Sequence, residues 1–449
     1  MSNIKTIYVC SNCDAQFPKW SGRCLECGSW GTLGESVIDK KEEIKNETIS
    51  KISGANLINL KKVDTLNLTR LETGILEVDR VLGGGLVPGS LVILSGEPGI
   101  GKSTLVAQIA NALAKDKNVI YVSGEESAAQ VKDRLVRLNC SLDNLSFIGE
   151  TNVEKIISSL LKAKPDLVII DSIQTVYSSL IPSEAGSINQ IRAGALKFLE
   201  VAKENNIAFI LIGHITKDGQ VAGPKSLEHI VDTVLYLEAE NNNNYCLLRA
   251  SKNRFGSVNE LGVMEMTGSG FKEVLNPSLV FIDANFANLA GSVIGCVVEG
   301  SRSFLVDIQS LVSKTVFGYP QRKTSGFDLN RLQVLSAVLS KRTKVNLSSQ
   351  DIILNIVGGL RLNDPALDLA VCAAIISSYS NKTFDRQTLV LGEVGLGGEI
   401  RAVSRIEQRL AEAEKLGFKE AIIPNVEVKT KKIKLVKIKN LAELVEFIK

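Results

Sequence analysis

Eight consecutive residues constrain this chain more than any others: Gly96-Glu97-Pro98-Gly99-Ile100-Gly101-Lys102-Ser103. They match the pattern G-x-x-x-x-G-K-[ST] at every position. An apolar run, Leu91–Ser95, precedes them, and a helical pattern, Ser103–Ala114, follows. Strand, glycine-rich loop and helix in that order let main-chain N–H groups turn inward around phosphate oxygens at a helix N-terminus. Lys102 is expected to reach the β- and γ-phosphates and Ser103 to ligate Mg2+, with Thr104 in the same binding set. The expected ligand is a nucleoside triphosphate, ATP.

Further apolar runs, Val119–Val122, Leu167–Ile170, Ile207–Ile212 and Thr233–Leu237, alternate with helical patterns. Continuous apolar strands between helices predict a parallel sheet buried on both faces. A β-rich piece at Tyr245–Phe271 closes the region. Asp171 ends one apolar run, where a carboxylate would hold Mg2+ through water. Glu125 and Glu126 end another, and either is a candidate to orient the attacking water. A glutamate there also favours the dipole of the following helix, Ser127–Leu138, so each is equally a candidate capping carboxylate.

At 449 residues the chain is too long for one ordinary core. The expected division is a cysteine-rich module at 1–33, a linker at 34–62, the sheet region at 63–273 and a second α/β region at 274–449. The linker rests on composition: Asp39-Lys40-Lys41-Glu42-Glu43 cannot fill a core. In the first module Cys10-x-x-Cys13 and Cys24-x-x-Cys27 are spaced so that four thiolates meet on one Zn2+. Four cysteines close such a site, which makes it structural. Cys140, Cys246, Cys296 and Cys372 stand singly in apolar surroundings and carry no assigned role. The net charge of +3 leaves any nucleic-acid contact to local patches. No apolar run is long enough to span a bilayer, and Met1–Lys5 has no apolar signal core, so a cytoplasmic protein without membrane partners is expected.

Thr73-Gly-Ile-Leu-Glu77-Val-Asp79-Arg80, followed by Gly83-Gly-Gly85 and Pro88-Gly89, leads into the loop and resembles the RecA-type ATPases, including their KaiC- and DnaB-type members. The paired glutamates Glu125-Glu126 match those members. Lys252-Asn253-Arg254-Phe255-Gly256 is similar to the KNRFG motif of the bacterial RadA (Sms) family of DNA-repair proteins, and the domain order matches over nearly the whole chain. The resemblance implies a DNA-dependent ATPase in recombination and repair. It further implies a hexameric ring that extends branched intermediates as a DnaB-like motor, with single-stranded and branched DNA and a RecA-type recombinase as partners. Lys252 and Arg254 match cations that reach a neighbour's γ-phosphate; without the resemblance they read as a surface pair on a turn. The expected DNA loops are Leu180–Gln190 and His214–Lys225. Lys217 and Lys225 face phosphates in that reading, and Lys252 and Arg254 are added to the DNA-binding set.

The last region resembles the Lon protease domain. The nucleophilic serine of that domain aligns with Ala366 in Asn363-Asp364-Pro365-Ala366, and its lysine aligns with Glu407. Neither residue supports a Ser–Lys dyad, so no peptidase is expected. Arg302, Lys314, Arg322, Lys323, Lys341, Arg342 and Lys344 are candidates for a basic surface, and Arg401, Arg405 and Arg409 for one helical face. A KaiC-like signalling ATPase and an ATP-dependent peptidase are the competing functions.

Overall fold

The computed structural model describes residues 5–11, 15–38, 69–214, 227–239, 245–274, 276–278, 282, 289–316, 318–357, 362–430 and 432–448. The chain divides into two compact units, Met1–Thr69 and Arg70–Lys449.

In the first unit, β1 (Lys5–Cys10) pairs antiparallel with β2 (Gln16–Phe17) on one side and β3 (Leu33–Ile38) on the other. Among the described residues Cys10, Cys24 and Leu33 form its buried core, backed by Tyr8, Ala15 and Phe17. So small a core needs a staple. Strand β3 runs into the stretch expected to be linker from residue 34, because each residue from Gly34 to Ile38 has a partner on β1.

The second unit begins with α1 (Leu76–Leu82) and the strand that feeds the loop, β4 (Leu91–Gly96). Then come α2 (Lys102–Leu113), β5 (Val119–Ser123), α3 (Ala128–Arg137), β6 (Leu145–Ile148), α4 (Val153–Ala163), β7 (Leu167–Asp171), α5 (Ile188–Asn205) and β8 (Ala208–His214). Strands β9 (Thr233–Ala239), β10 (Tyr245–Asn253), β11 (Leu261–Thr267) and β12 (Gly270–Glu273) complete a nine-stranded sheet of order β12-β11-β10-β9-β4-β8-β7-β5-β6. Strands β4 to β9 are mutually parallel and β10 to β12 antiparallel. Alternation along β4 fills both faces: Val92 and Leu94 join one core, Leu91 and Ile93 the other. The parallel sheet is as the apolar runs predict. Strand β6 has no continuous apolar run to announce it; its pattern is half-exposed because it is the sheet edge.

The remaining elements are β13 (Ser292–Glu299), β14 (Arg302–Lys314), β15 (Arg322–Ser325), α6 (Leu329–Arg342), β16 (Gln350–Ile356), α7 (Asp368–Ser380), β17 (Thr388–Val390), β18 (Glu393–Val394), β19 (Ile400–Arg401), α8 (Ile406–Lys415), β20 (Glu420–Pro424), β21 (Lys434–Ile438) and α9 (Leu441–Ile448). Seven of these strands form a mixed sheet, β15-β16-β14-β13-β17-β20-β21. Leu247, Leu261 and Val263 of the first sheet share a core with this half. Buried Glu77 of α1 takes both a hydrogen bond from Val263 N (2.9 Å) and an ion pair from Arg302 (2.8 Å).

Two of the seven cations expected on a basic surface are tied up, while Lys314, Lys323, Lys341, Arg342 and Lys344 are exposed. Arg302 is tied to Glu77, and Arg322 is spent on the carbonyls of Gln321, Gln350 and Leu347, with burial lowering its pKa. The expected arginine face is also corrected. Arg401 lies in β19 and Arg405 precedes α8, while Arg409 is fully buried against Asp364 (2.7 Å) and Cys296 O (2.6 Å). An i, i+4 count assumes one continuous helix, and α8 begins only at Ile406.

Candidate nucleotide and metal sites

Three glycines shape the loop, each for a different reason. Gly96 packs so close to β9 that a Cβ would lie 2.5 Å from Leu237 O. Gly99 has open space but a φ of +80°, which suits glycine alone. Gly101, at φ +100°, is the N-cap of α2, and a Cβ there would strike Met266 and Phe271. The antiparallel hairpin β11–β12 thus supports the loop from behind, and Gln108 holds it by bonds to Phe271 N (2.8 Å) and Phe271 O (3.0 Å).

Lys102 is buried, and its ammonium donates to Gly96 O (2.8 Å) and Glu97 O (2.9 Å). Burial lowers its pKa, while Asp171 and Glu125 pull it back up, so both carboxylates lie within electrostatic reach. Asp171, at the end of β7, is also buried and accepts a 2.5 Å hydrogen bond from Tyr121 Oη. Ser103 opens the second position of α2.

The two glutamates separate. Glu125 accepts a hydrogen bond from Ser172 Oγ, the residue after Asp171. Glu126 pairs with Arg134 of α3. Ser123 Oγ accepts from both main-chain amides, at 3.2 and 3.0 Å, which fixes the turn that sends them apart. Helix α3 is capped instead by Ser127 and Gln130 in a capping box.

Lys252 and Arg254 lie elsewhere. Asn253 pairs with Thr233, and Thr233 with Val92, so the motif sits at the N-terminal end of β4. Gly96 is four residues further along, about 13 Å away by strand rise. Lys252 donates to Glu228 O (2.5 Å) and Val231 O (2.8 Å), and its pKa is lowered by burial and by Arg254. Arg254 is half-exposed beside buried Asp232 (3.1 Å). Asn253 Nδ2 donates to Val81 O and Leu82 O, and Gly256 fits against Gly83 with 3.1 Å for a Cβ. Much of the motif therefore clamps β10 to the end of α1.

The loop expected at Leu180–Gln190 is internally stapled. Buried Gln190 donates to Ser178 O (3.1 Å), Ile181 O (2.9 Å) and Ser183 O (2.9 Å), and accepts from Ser178 N (2.8 Å). Lys217 and Lys225 lie outside the described residues, as does Cys13.

The Sγ atoms of Cys10, Cys24 and Cys27 lie within 4.8 Å of one another, and Cys10 and Cys27 are 3.7 Å apart. Tetrahedral ligands about 2.3 Å from zinc stand about 3.8 Å apart, so this donor set fits that ion. Gly28, at φ +75°, and the bond from Gly28 N to Cys24 O (3.0 Å) make the second knuckle's turn.

In the C-terminal half Ala366 is buried and Glu407 exposed. Asp364 is engaged by Arg409, Val298 N (3.2 Å) and Ala366 N (3.0 Å). Asp368 is engaged by Arg331 and Val394 N (3.1 Å).

A parallel sheet with a glycine-rich loop at the C-terminal end of β4, a buried lysine and a buried carboxylate defines a P-loop ATPase. Family models agree: an AAA domain matches residues 59–220, a rubredoxin metal binding domain 8–35, and subunit ChlI of Mg-chelatase 313–427. The chain is 47% identical over 427 residues to the DNA repair protein RadA of Streptococcus pyogenes serotype M6, covering 94% of this chain and 93% of that one. It is 44% identical over 455 residues to DNA repair protein RadA of Bacillus subtilis, covering 99% and 98%. The chain belongs to the RadA family of DNA repair proteins. It thus joins a zinc-ribbon module, a RecA-like ATPase core and a Lon-like C-terminal region. Among the described residues no helix is long and apolar enough to cross a membrane.

Proposed function

We propose that the chain hydrolyses ATP in a ring whose sites are completed by neighbouring subunits, and that turnover drives it on single-stranded and branched DNA. The observation that carries this reading is the placement of half-exposed Arg254 at the sheet edge opposite the P-loop of its own chain. A cation there is out of reach of its own γ-phosphate and suits a nucleotide held by the next subunit. A hexamer follows from the family resemblance.

In this reading Gly96–Thr104 cradle the triphosphate, and Lys102 exchanges loop carbonyls for phosphate oxygens. Ser103 and Asp171 hold Mg2+, which supplies charge neutralisation when bound. Glu125, held beside Asp171 by Ser172, orients water as the base, while Glu126 pairs with Arg134 of α3. Arg254, with Lys252 behind it, meets charge on the transferring group. Lys217 and Lys225 contact DNA phosphates. Cys10, Cys13, Cys24 and Cys27 bind zinc. Action on recombination intermediates with a RecA-type recombinase, in the cytoplasm, fits the family. Residues 63–273 form the motor and 274–449 a scaffold without peptidase activity.

The test mixes Arg254→Ala subunits with Lys102→Ala subunits. Each alone should be inactive, and mixtures should regain part of the DNA-stimulated ATPase rate. Inactive mixtures would remove the shared site from this reading.

A further inference from the structure

Tyr121 belongs to the interior of β5, 1% exposed, in the same core cluster as Leu105, Leu167 and Ile169. A phenylalanine would fill that core equally well. What tyrosine adds is a hydroxyl, and a buried hydroxyl needs a partner. Its partner is Oδ2 of Asp171, at 2.5 Å, reached diagonally across adjacent strands, since Tyr121 pairs with Ile169 and Ser123 with Asp171. Arg134 and Glu126, themselves an ion pair, both act electrostatically on the hydroxyl.

We propose that Tyr121 is a positioning residue for the Mg2+ site. Its hydroxyl fixes one oxygen of Asp171 so that the other is presented to the metal's water shell. The inference rests on the reading of Asp171 as the Mg2+-side carboxylate. An outer hydrogen bond of this kind typically accounts for tenfold or more in metal affinity.

The test uses the full chain and equilibrium binding of a fluorescent ATP analogue, titrated with Mg2+ and repeated in EDTA. Tyr121→Phe should raise the Mg2+ concentration at the midpoint about tenfold and leave binding in EDTA unchanged. Asp171→Asn, run in parallel, should raise the midpoint further. If Asp171→Asn shifts the midpoint and Tyr121→Phe does not, the positioning role is overturned while the Mg2+ reading survives. If neither shifts it, that reading falls and the role of Tyr121 with it. If Tyr121→Phe weakens binding equally in EDTA, the hydroxyl supports the pocket at large, and the proposal is wrong.

Discussion

The two α/β halves of the large unit each place charged side chains where a loop enters a helix, and they treat them in opposite ways. At Gly96–Lys102 the lysine is held by two main-chain carbonyls, partners a phosphate can replace without leaving a charge bare. At Asp364–Asp368 each carboxylate is committed to an arginine and to main-chain amides. Neutral, exchangeable partners leave a site ready for a ligand. Ion pairs closed on themselves turn the corresponding place into structure.

The sharpest way to break that contrast lies in the ATPase half. Glu125→Gln should lower the ATPase rate by about 10²–10⁴-fold, and Glu126→Gln by less than about tenfold. Equal losses would mean that the turn at Ser123 does not separate their roles. In the C-terminal half, Arg409→Met should reduce unfolding free energy by about 3 kcal/mol in urea titrations, because it empties the buried side of the pair and leaves Asp364, only partly exposed, without its cation. A change under about 1 kcal/mol would show that the pair is not what holds that half.

A smaller effect tests an ion pair that lies between these extremes. Burial opposes ionisation of Glu154, but Lys197 and Ser178 overcome it and hold its pKa at about 2. A depressed carboxylate stabilises the fold above its unfolded pKa near 4.5 and loses that contribution as pH falls through about 2. Both side chains are nearly a third exposed, so the contribution is roughly 1–2 kcal/mol after screening. The melting gap between the parent and Glu154→Gln should close across that window. The smallest expected effect is none: Ala366→Ser with Glu407→Lys should not yield casein cleavage, since Glu407 points to solvent while Ala366 is buried.

Much of the ATPase half was legible in residue order, because a P-loop is local and parallel strands announce themselves as apolar runs. The limits are physical. Glu77 stands in the first turn of a short helix, where an acid ordinarily faces water, and its burial is made tolerable by partners far along the chain, Arg302, 225 residues away, and Val263 N. Arg409 looks like any surface arginine until β13 supplies Cys296 O. The opposed fates of Glu125 and Glu126 depend on one serine hydroxyl two residues earlier. Tyr121 sits in an apolar strand, where periodicity marks it as core and says nothing of its hydroxyl. The clustering of Cys10, Cys24 and Cys27 was legible because thiolate spacing is itself the geometry.

Asp232 ties Arg254 to the first residue of the strand that feeds the phosphate loop. Its Oδ2 accepts from Leu91 N (3.1 Å), the first residue of β4, and its Oδ1 accepts from Arg254. Strand β4 is thereby a strut with Asp232 and Arg254 at one end and the phosphate loop at the other. Whatever takes hold of Arg254 from outside pulls along the axis of the segment whose other end is the phosphate loop.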